Sequence, residues 1–349
     1  METSGTTGSQ RRRYVYEPPW PAYALAWAPR LEPRCRLAIG SYTEQETNKV
    51  QIVELGEETK KLEVVAEAEH PFPPTKLMWR PDGSQQDLLA SSSTTLNLWK
   101  MEEGQLKHVD TLANHRTQHR RDPPITSFDW SSFNDHKLGI SSVDTTCTIW
   151  NLEKRKMETQ LIAHDKAVYD IAFAHNHSLF TSVGADGSVR LFDQRDLEHS
   201  TIIYETSPPS PLLRVAWNKL NQNHIATIAL DTIGVILIDI RRPAVALRAL
   251  SHHKSCVNTI SWAPHSWNHM LCGTSDGTAL IWDVKEMTVT PADGSGAAAG
   301  QPVPDAAWQP TAPLLAYECD HEVYQVQWPS TEPEYVALGC AQQVEVLQI

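Results

Sequence analysis

The sequence has no pair of closely spaced cysteines and no long apolar segment. Its six cysteines show no C-x-x-C spacing, and most of them lie in strand-like segments. We therefore expect buried free thiols in a reducing compartment rather than disulfides. No run of about 18 apolar residues occurs, and the polar N-terminus has no apolar core, so neither a membrane span nor a secretory signal is predicted.

An excess of positive charge is also absent. Thirty Lys and Arg residues face 42 Asp and Glu residues, which gives a net charge of −12, and the dense basic runs are limited to Arg11–Arg13 and Arg116–Arg121. Because positive charge supplies most non-specific affinity for phosphate, direct binding of nucleic acid is not predicted. The phosphate-binding and zinc-protease motifs G-x-x-x-x-G-K-[ST], G-x-G-x-x-G and H-E-x-x-H are missing, so we expect no cofactor.

What the chain does contain is a repeat. Seven short apolar segments end in an aromatic residue at intervals of 43 to 66 residues: Trp27, Trp79, Trp130, Phe173, Trp217, Trp262 and Trp328. A second marker follows five of them after 19 to 21 residues: Trp99, Trp150, Phe192, Ile238 and Trp282. A repeat of roughly 40 to 45 residues with four short strands is the signature of a β-propeller blade of the WD-repeat kind.

The repeat predicts an all-β, seven-bladed WD-repeat β-propeller that uses nearly the whole chain. Residues 14–349 form this domain, and residues 1–13 are expected to be a flexible N-terminal tail. The predicted blades span residues 20–70, 71–115, 124–164, 165–207, 211–253, 254–321 and 322–349.

The last predicted blade is too short for four strands. It ends at Ile349 directly after its third strand, and the unused strand-like segment of the chain is Tyr14-Val15-Tyr16. We therefore predict that this N-terminal strand pairs with the last blade and closes the ring, which removes exposed sheet edges.

Two segments depart from the repeat. Residues 288–312 are small, Pro-rich and Gly-rich, which predicts a mobile low-complexity loop between the third and fourth strands of blade six. Trp308 within it is either a docking side chain or, as we favour, a residue resting on the propeller's own surface. Residues 114–124 enlarge the connection into blade three.

His164, Ser182 and Asp186 are the residue types of a hydrolase triad. Their spacing relative to Phe173 and Phe192 instead matches the WD-repeat pattern of His, Ser, Asp and aromatic bonded across one blade. We interpret His164, Ser182, Asp186 and Phe192 as a structural tetrad that satisfies buried polar groups, with a propeller hydrolase as the disfavoured alternative. Partial copies at the same offsets support this: His70, His253, Asp144 and Asp276.

Two histidine pairs have spacings compatible with zinc. His115 and His119 are four residues apart, and His175 and His177 are two apart, but no Cys or carboxylate cluster accompanies them. A solvated basic loop is the favoured interpretation of the first pair, and no metal is predicted.

An Asp-x-Arg sequence follows the third strand in two neighbouring blades. Asp193 and Arg195 belong to one copy, Asp239 and Arg241 to the next. An exposed Arg at a rim can fork onto a carboxylate or carbonyl of a partner. The alternative is that Asp and Arg cap a turn or pair with a neighbouring blade, and for either site alone we favour that alternative.

Five segments closely resemble the TRANSPARENT TESTA GLABRA / light-regulated WD / anthocyanin-eleven group of WD-repeat proteins, and the similarity runs from about residue 14 to residue 349. The segments are residues 141–154, 158–173, 182–205, 212–219 and 257–266. The short connection KRKMETQL between blades three and four is closer to plant and algal members than to animal ones.

The resemblance implies a non-enzymatic scaffold in the nucleus and cytoplasm, a single propeller that works within complexes. Plant members assemble MYB and basic helix-loop-helix transcription factors. Animal members bind protein kinases and act as substrate receptors of cullin-4 ubiquitin ligases. In this family Asp193, Arg195, Asp239 and Arg241 fall on the positions that contact the ligase adaptor, although Phe192 and Ile238 stand where Trp is typical.

Two functions are therefore predicted. The first is a scaffold for transcriptional regulators or kinases that raises their effective concentration for one another. The alternative is a substrate receptor of a cullin-4 ubiquitin ligase.

Overall fold

The computed structural model describes residues 12–30, 32, 34–44, 47–81, 87–113, 123–134, 136–175, 178–285 and 312–349. The predicted tail, apart from Arg12 and Arg13, and the predicted loop, apart from residue 312, lie outside these residues, as does Trp308. No helix in the described part is long and apolar enough to cross a membrane.

The chain forms seven four-stranded antiparallel sheets; each of the first six predicted blade ranges contains one of them, and the range 322–349 contains three strands of the seventh. The first strand, β1 (Arg13–Tyr16), belongs to the last sheet. Blade one consists of β2 (Ala22–Trp27), β3 (Leu37–Ser41), β4 (Asn48–Leu55) and β5 (Leu62–His70). Blade two consists of β6 (Lys76–Trp79), β7 (Leu88–Ser92), β8 (Leu96–Glu102) and β9 (Gln105–Leu112). Blade three consists of β10 (Ile125–Trp130), β11 (Lys137–Ser142), β12 (Thr146–Asn151) and β13 (Lys156–Ile162).

Blades four to seven follow the same order. They consist of β14 (Val168–Phe173), β15 (Leu179–Gly184), β16 (Ser188–Asp193), β17 (Asp196–Glu205); β18 (Leu212–Trp217), β19 (His224–Ala229), β20 (Val235–Asp239), β21 (Ala246–Leu250); β22 (Val257–Trp262), β23 (His269–Thr274), β24 (Thr278–Asp283), β25 (Leu315–Glu318); and β26 (Val323–Gln327), β27 (Tyr335–Cys340), β28 (Val344–Gln348) with β1. The seven-bladed fold is thus confirmed.

The N-terminal strand closes the ring as predicted. β1 pairs antiparallel with β28, with Arg13 opposite Leu347 and Tyr16 opposite Val344. The strand begins one residue before the predicted start of the domain, at Arg13, whose guanidinium forks onto the buried carboxylate of Glu345 at 2.9 and 3.0 Å. Both ends of the chain therefore share the last sheet.

The apolar core lies between blades rather than within them. Seven clusters of buried side chains each join two neighbouring blades, and one of them joins blade seven to blade one. The seven repeated aromatic residues are all buried. Two of them also bond the preceding blade, since Trp79 Nε1 donates to the Ala26 carbonyl and Trp262 Nε1 to that of Ala216.

Because neighbouring strands are antiparallel, the connections between them lie on two opposite faces of the ring. Connections from first to second and from third to fourth strands lie on one face, which we call the arginine rim because it contains Arg195 and Arg241. Connections from second to third strands and between blades lie on the other face, the histidine rim, which contains His164. On that rim, Gly187 and Gly277 have φ of 81° and 83°, the left-handed conformation that glycine adopts without steric cost in a tight turn.

Candidate functional site

The structure brings His164, Ser182 and Asp186 together. His164 lies in the connection into blade four, Ser182 in β15 and Asp186 in the turn that follows it. His164 Nε2 is 2.8 Å from Ser182 Oγ, and His164 Nδ1 is 3.0 Å from both carboxylate oxygens of Asp186. The imidazole thus donates to the carboxylate and accepts the serine hydroxyl, which fastens the connection to the second strand.

The same three residues have the connectivity of a hydrolase triad, but they lie inside the blade. Ser182 is 0% exposed and His164 is 1% exposed. Ser182 also pairs with Ile171 on one side and Arg190 on the other in the β-ladder. A substrate carbonyl therefore has no access to the hydroxyl unless the blade opens.

The carboxylate of Asp186 is held by several donors. Arg190 donates to it at 3.2 Å and to the exposed Asp165 at 2.8 Å, and the Ser188 hydroxyl donates at 2.9 Å. Burial alone would raise the pKa of the Asp186 carboxyl, but the bonds from His164 and Ser188 outweigh burial and lower it well below its usual value. The group is therefore ionised in the folded protein.

Phe192 takes no part in this hydrogen-bond network. Its ring stacks on Phe180 with centroids 4.8 Å apart and an interplanar angle of 7°. A phenyl ring has no N–H donor, so its contribution to blade four is apolar packing.

Blade two contains a serine network that sequence reasoning missed. His70 Nε2 is 2.9 Å from Ser91 Oγ, and Trp99 Nε1 donates to the same oxygen at 2.8 Å. In blade six, Cys272 stands at the position of Ser182, four residues before the turn aspartate, and His253 packs on Trp282 at 5.4 Å. Burial lowers the pKa of His253 and raises that of Cys272.

The two Asp-x-Arg sequences form identical forks on the arginine rim. Arg195 donates from Nε and Nη2 to Asp193 at 3.0 and 2.6 Å, and its backbone N–H donates to the same carboxylate at 2.9 Å. Arg241 and Asp239 repeat this arrangement with distances of 2.9, 2.6 and 3.0 Å. These bonds lower the pKa of both Asp carboxyls, so each fork is an ion pair.

The guanidinium groups of these forks point outward. The side chains of Arg195 and Arg241 are 79% and 64% exposed. The turn capping predicted as one alternative to partner binding is thus present, since the backbone N–H of each arginine donates to the aspartate two residues before it. The side-chain pairing uses only one edge of each guanidinium. One arginine side chain can pair with its aspartate and bind a partner at the same time, because it has five N–H donors in a planar fork.

A shallow hollow of about 550 Å³ lies beside the first fork. Phe133, Leu179 and Ile240 provide its apolar surface, and Arg195 stands at its edge. Phe133 is 62% exposed. The hollow is built from three consecutive blades, so its members are distant in sequence and no local pattern predicted it.

This sector of the arginine rim is basic although the whole chain is acidic. The described connections on this rim in blades three to five contain one carboxylate, Glu153, and six cationic side chains: Lys154, Arg155, Arg195, Lys219, Arg241 and Arg242. Arg195 and Arg241 are paired with Asp193 and Asp239 at the strand ends, which leaves four cations outside the forks. The field over the hollow therefore favours an acidic partner.

Of the two histidine pairs whose spacing is compatible with zinc, the structure describes one residue, His175. His115, His119 and His177 lie outside the described residues, and His175 Nδ1 is 3.0 Å from the Ser132 hydroxyl. Sequence reasoning missed a different group, in which the ligating atoms of Cys319, Cys340 and Glu345 lie within 4.8 Å of one another.

That group is poorly suited to a metal ion. The carboxylate of Glu345 already accepts bonds from Arg13, from the Tyr317 hydroxyl at 2.6 Å and from the Gln343 amide at 2.8 Å. The adjacent guanidinium of Arg13 repels a cation, and the hydrogen bond with the Cys340 thiol, together with burial, raises the pKa of Cys319. We assign these residues to ring closure.

Comparison with known proteins places this geometry in a family. A family model described as "WD domain, G-beta repeat" matches residues 155–193 and 245–283. A Dictyostelium discoideum protein described as "DDB1- and CUL4-associated factor 7 homolog" is 45% identical over 344 residues, which cover 97% of this chain and 99% of that protein. The chain belongs to the same WD-repeat family.

Two fungal members extend the family. A WD repeat-containing protein of Schizosaccharomyces pombe is 33% identical over 391 residues, covering 96% of this WD-repeat protein and 89% of its own length. A WD repeat-containing protein of Saccharomyces cerevisiae is 34% identical over 307 residues, which cover 77% of this chain and 57% of the yeast protein. The matches to the Dictyostelium and Schizosaccharomyces proteins cover 97% and 96% of this chain and so include nearly all of the seven blades.

Proposed function

We propose that this protein is a non-enzymatic scaffold that binds an adaptor of the DDB1 type through its two Asp-x-Arg forks and so presents other proteins to a cullin-4 ubiquitin ligase. The observation that carries the proposal is the repeated fork, in which Arg195 and Arg241 are fixed in the same geometry with their outer edges exposed. The name of the Dictyostelium relative, which refers to DDB1 and CUL4, supports the same partner.

The forks are suited to recognition because they are already ordered. Asp193 and Asp239 hold each guanidinium in place, so less side-chain freedom is lost when a partner carboxylate or carbonyl binds. The exposed ring of Phe133 and the hollow beside Arg195 add an apolar contact in the same sector. Aromatic and arginine side chains contribute most of the binding energy in typical protein interfaces.

The absence of catalysis is part of the proposal. The triad-like residues His164 and Ser182 are buried in a sheet, and Ser182 is bonded on both sides in the β-ladder. Their hydrogen bonds stabilise blade four. The protein therefore acts, in this proposal, through its binding surfaces.

The test is a binding measurement between the purified protein and DDB1. We expect Arg195→Ala combined with Arg241→Ala to weaken binding roughly ten- to a hundred-fold, because each truncation removes about 1 kcal/mol or more at an interface anchor. The matched control is Arg242→Ala, which removes a neighbouring exposed cation that lacks the Asp fork. It should change the affinity by less than about three-fold.

The double variant should fold, because both arginines are exposed and each bonds the aspartate two residues before it. Thermal unfolding of the double variant checks this point. Unchanged affinity for DDB1 in a folded double variant would refute the proposal. An equal loss of affinity in Arg242→Ala would show that the forks contribute only general positive charge.

The transcription-factor and kinase partners stay predictions from the family resemblance, as does a location in the nucleus and cytoplasm. We place ligase-adaptor binding first because it has both a defined pair of surface sites and a relative named for that association.

A further inference from the structure

A one-residue bulge recurs at the start of the first strand in six blades. The bulged residues are Tyr23, Thr126, Tyr169, Leu213, Asn258 and Tyr324. First strands line the centre of a propeller, and a bulge re-aims the side chain that it carries. In blades one and seven, which are neighbours at the ring closure, the bulged residue is tyrosine.

These two tyrosines form a cluster with a third on the histidine rim. The ring of Tyr23 lies 5.5 Å from that of Tyr42 and 5.9 Å from that of Tyr324, with interplanar angles of 41° and 45°. Tyr42 follows β3 in the connection to β4 and is 45% exposed. The tilted rings of this tyrosine cluster therefore give the rim an accessible aromatic surface near the central channel.

The described part of the histidine rim is acidic. Its described connections contain two lysines, Lys166 and Lys254, and nine carboxylates: Glu17, Glu44, Asp144, Asp165, Asp186, Asp231, Asp276, Asp320 and Glu322. Two of these carboxylates are close to the cluster in sequence. Glu44 follows Tyr42 by two residues and Glu322 precedes Tyr324 by two.

The carboxylate of Glu322 is fixed beside the cluster. Its Oε1 accepts a hydrogen bond from Asn258 Nδ2 at 2.9 Å. Burial, and after it the charge of Glu322, raises the pKa of the Tyr324 hydroxyl. The phenol and the carboxylate thus lie near enough to interact, and the aromatic surface has a negative charge at its edge.

We propose that the tyrosine cluster binds a basic peptide segment of a partner protein by placing a lysine or arginine side chain on the ring of Tyr42, between the carboxylates of the histidine rim. The face of a tyrosine ring attracts cations, and the attraction grows when the site is partly desolvated. The surrounding carboxylates add long-range attraction for the same charge. An acidic peptide, a nucleic acid or an anionic membrane meets repulsion here.

This site stands apart from the adaptor contact proposed above. The forks of Arg195 and Arg241 lie on the opposite rim, in a sector whose described connections are basic. One propeller can therefore hold an acidic partner on the arginine rim and a basic segment on the histidine rim. The proposal does not depend on whether the first partner is DDB1.

The test uses a fluorescently labelled peptide of alternating Gly and Lys, about twelve residues long, and fluorescence anisotropy with the full-length protein. We expect Tyr42→Ala and Tyr324→Ala each to weaken binding roughly three- to ten-fold, and Tyr42→Phe to bind within about two-fold of wild type because it retains the aromatic face. Raising the NaCl concentration from about 50 to about 300 mM should weaken binding of every variant.

Two controls separate the cluster from the general field of the rim. Ile233→Ala changes another exposed apolar residue of the same rim, in blade five, and should leave the affinity unchanged. A peptide with Glu in place of Lys should not bind. Arg195→Ala combined with Arg241→Ala should bind the lysine peptide as wild type does, which makes failure of this proposal distinguishable from failure of the adaptor proposal.

Three results would overturn the proposal. The first is unchanged affinity in folded Tyr42→Ala and Tyr324→Ala variants. The second is equal binding of the lysine and glutamate peptides. The third is self-association in sedimentation velocity that Tyr42→Ala abolishes, because the oppositely charged rim of a second copy would then be the occupant.

Discussion

At the scale of single residues, two buried serines have the same role with partners of different strength. Ser182 Oγ bonds the imidazole of His164 and the weakly bonding thiol of Cys147, whereas Ser91 Oγ bonds His70 and also accepts the indole N–H of Trp99. Removal of a hydroxyl leaves each of its buried partners unsatisfied. The cost should therefore be larger at Ser91 than at Ser182.

We predict that Ser182→Ala lowers the free energy of unfolding by about 1 to 2 kcal/mol and Ser91→Ala by about 2 to 3 kcal/mol. Urea unfolding at pH 7 measures both. The control is Ser200→Ala on the exposed face of β17, which should stay within about 0.5 kcal/mol of wild type. If Ser182→Ala were as stable as wild type, the bracing role of the blade-four network would be wrong.

Asp186 makes the same network sensitive to pH. Hydrogen bonds from His164 and Ser188 overcome the effect of burial and lower the pKa of this carboxyl in the folded protein. The unfolded chain, with an ordinary Asp pKa of about 3.9, binds the proton at higher pH than the folded protein does. The stabilisation by Asp186 is therefore complete above the unfolded pKa and is lost as the pH falls towards the folded pKa.

We predict that Asp186→Asn is less stable than wild type at pH 7 and that the difference shrinks as the pH is lowered below about 4. Urea midpoints of the two proteins between pH 7 and pH 3 measure this difference. Glu153→Gln, at an exposed position of the arginine rim, is the matched control for removing one negative charge. A difference that stays constant over the whole range would contradict an ionised, hydrogen-bonded Asp186.

At the scale of strands and turns, much of the fold could be predicted because each blade repeats local signals. The repeated apolar segments that end in an aromatic residue marked the first strand of each blade, and the second markers, such as Trp99 and Trp282, marked third strands. The missing fourth strand of blade seven pointed to Tyr14-Val15-Tyr16, and β1 lies there. These signals depend on residues that are close in sequence.

The remaining contacts depend on residues that come together only when the ring closes. Ser91 lies eight residues before Trp99, whereas Ser182 lies ten before Phe192. The two turns are equally long, but Ser91 and Trp99 each lie one residue nearer to the middle of the turn, so spacing alone missed the network of blade two. The bond from the Phe173 N–H to Asp129 at 2.7 Å joins two blades. The hollow beside Phe133 and the tyrosine cluster also need side chains from different blades.

At the scale of the whole molecule, ring closure gives a rigid body with two faces of different charge. Seven interblade clusters hold the sheets, and the connections on the two faces are free to differ because they contribute little to those clusters. A body of this kind can bind two partners at once and raise the effective concentration of each for the other. Its function then depends on the ring staying closed.

The last prediction concerns that closure. Deletion of residues 1–16 removes β1, exposes the edge of β28 and leaves the fully buried carboxylate of Glu345 without Arg13. We expect a loss of about 3 kcal/mol or more in the free energy of unfolding, from the lost ladder bonds and the lost charge-assisted pair. The exposed strand edge should also promote aggregation.

Differential scanning calorimetry and light scattering measure the two effects. Deletion of residues 1–11 is the control, because it leaves Arg13–Tyr16 in place, and it should unfold and scatter light as the full chain does. A second variant, Arg13→Gln, removes the pair with Glu345 but keeps the strand, so it should be destabilised without aggregating. If the 1–16 deletion melted at the same temperature as the 1–11 deletion, β1 would not be the strand that holds the ring closed.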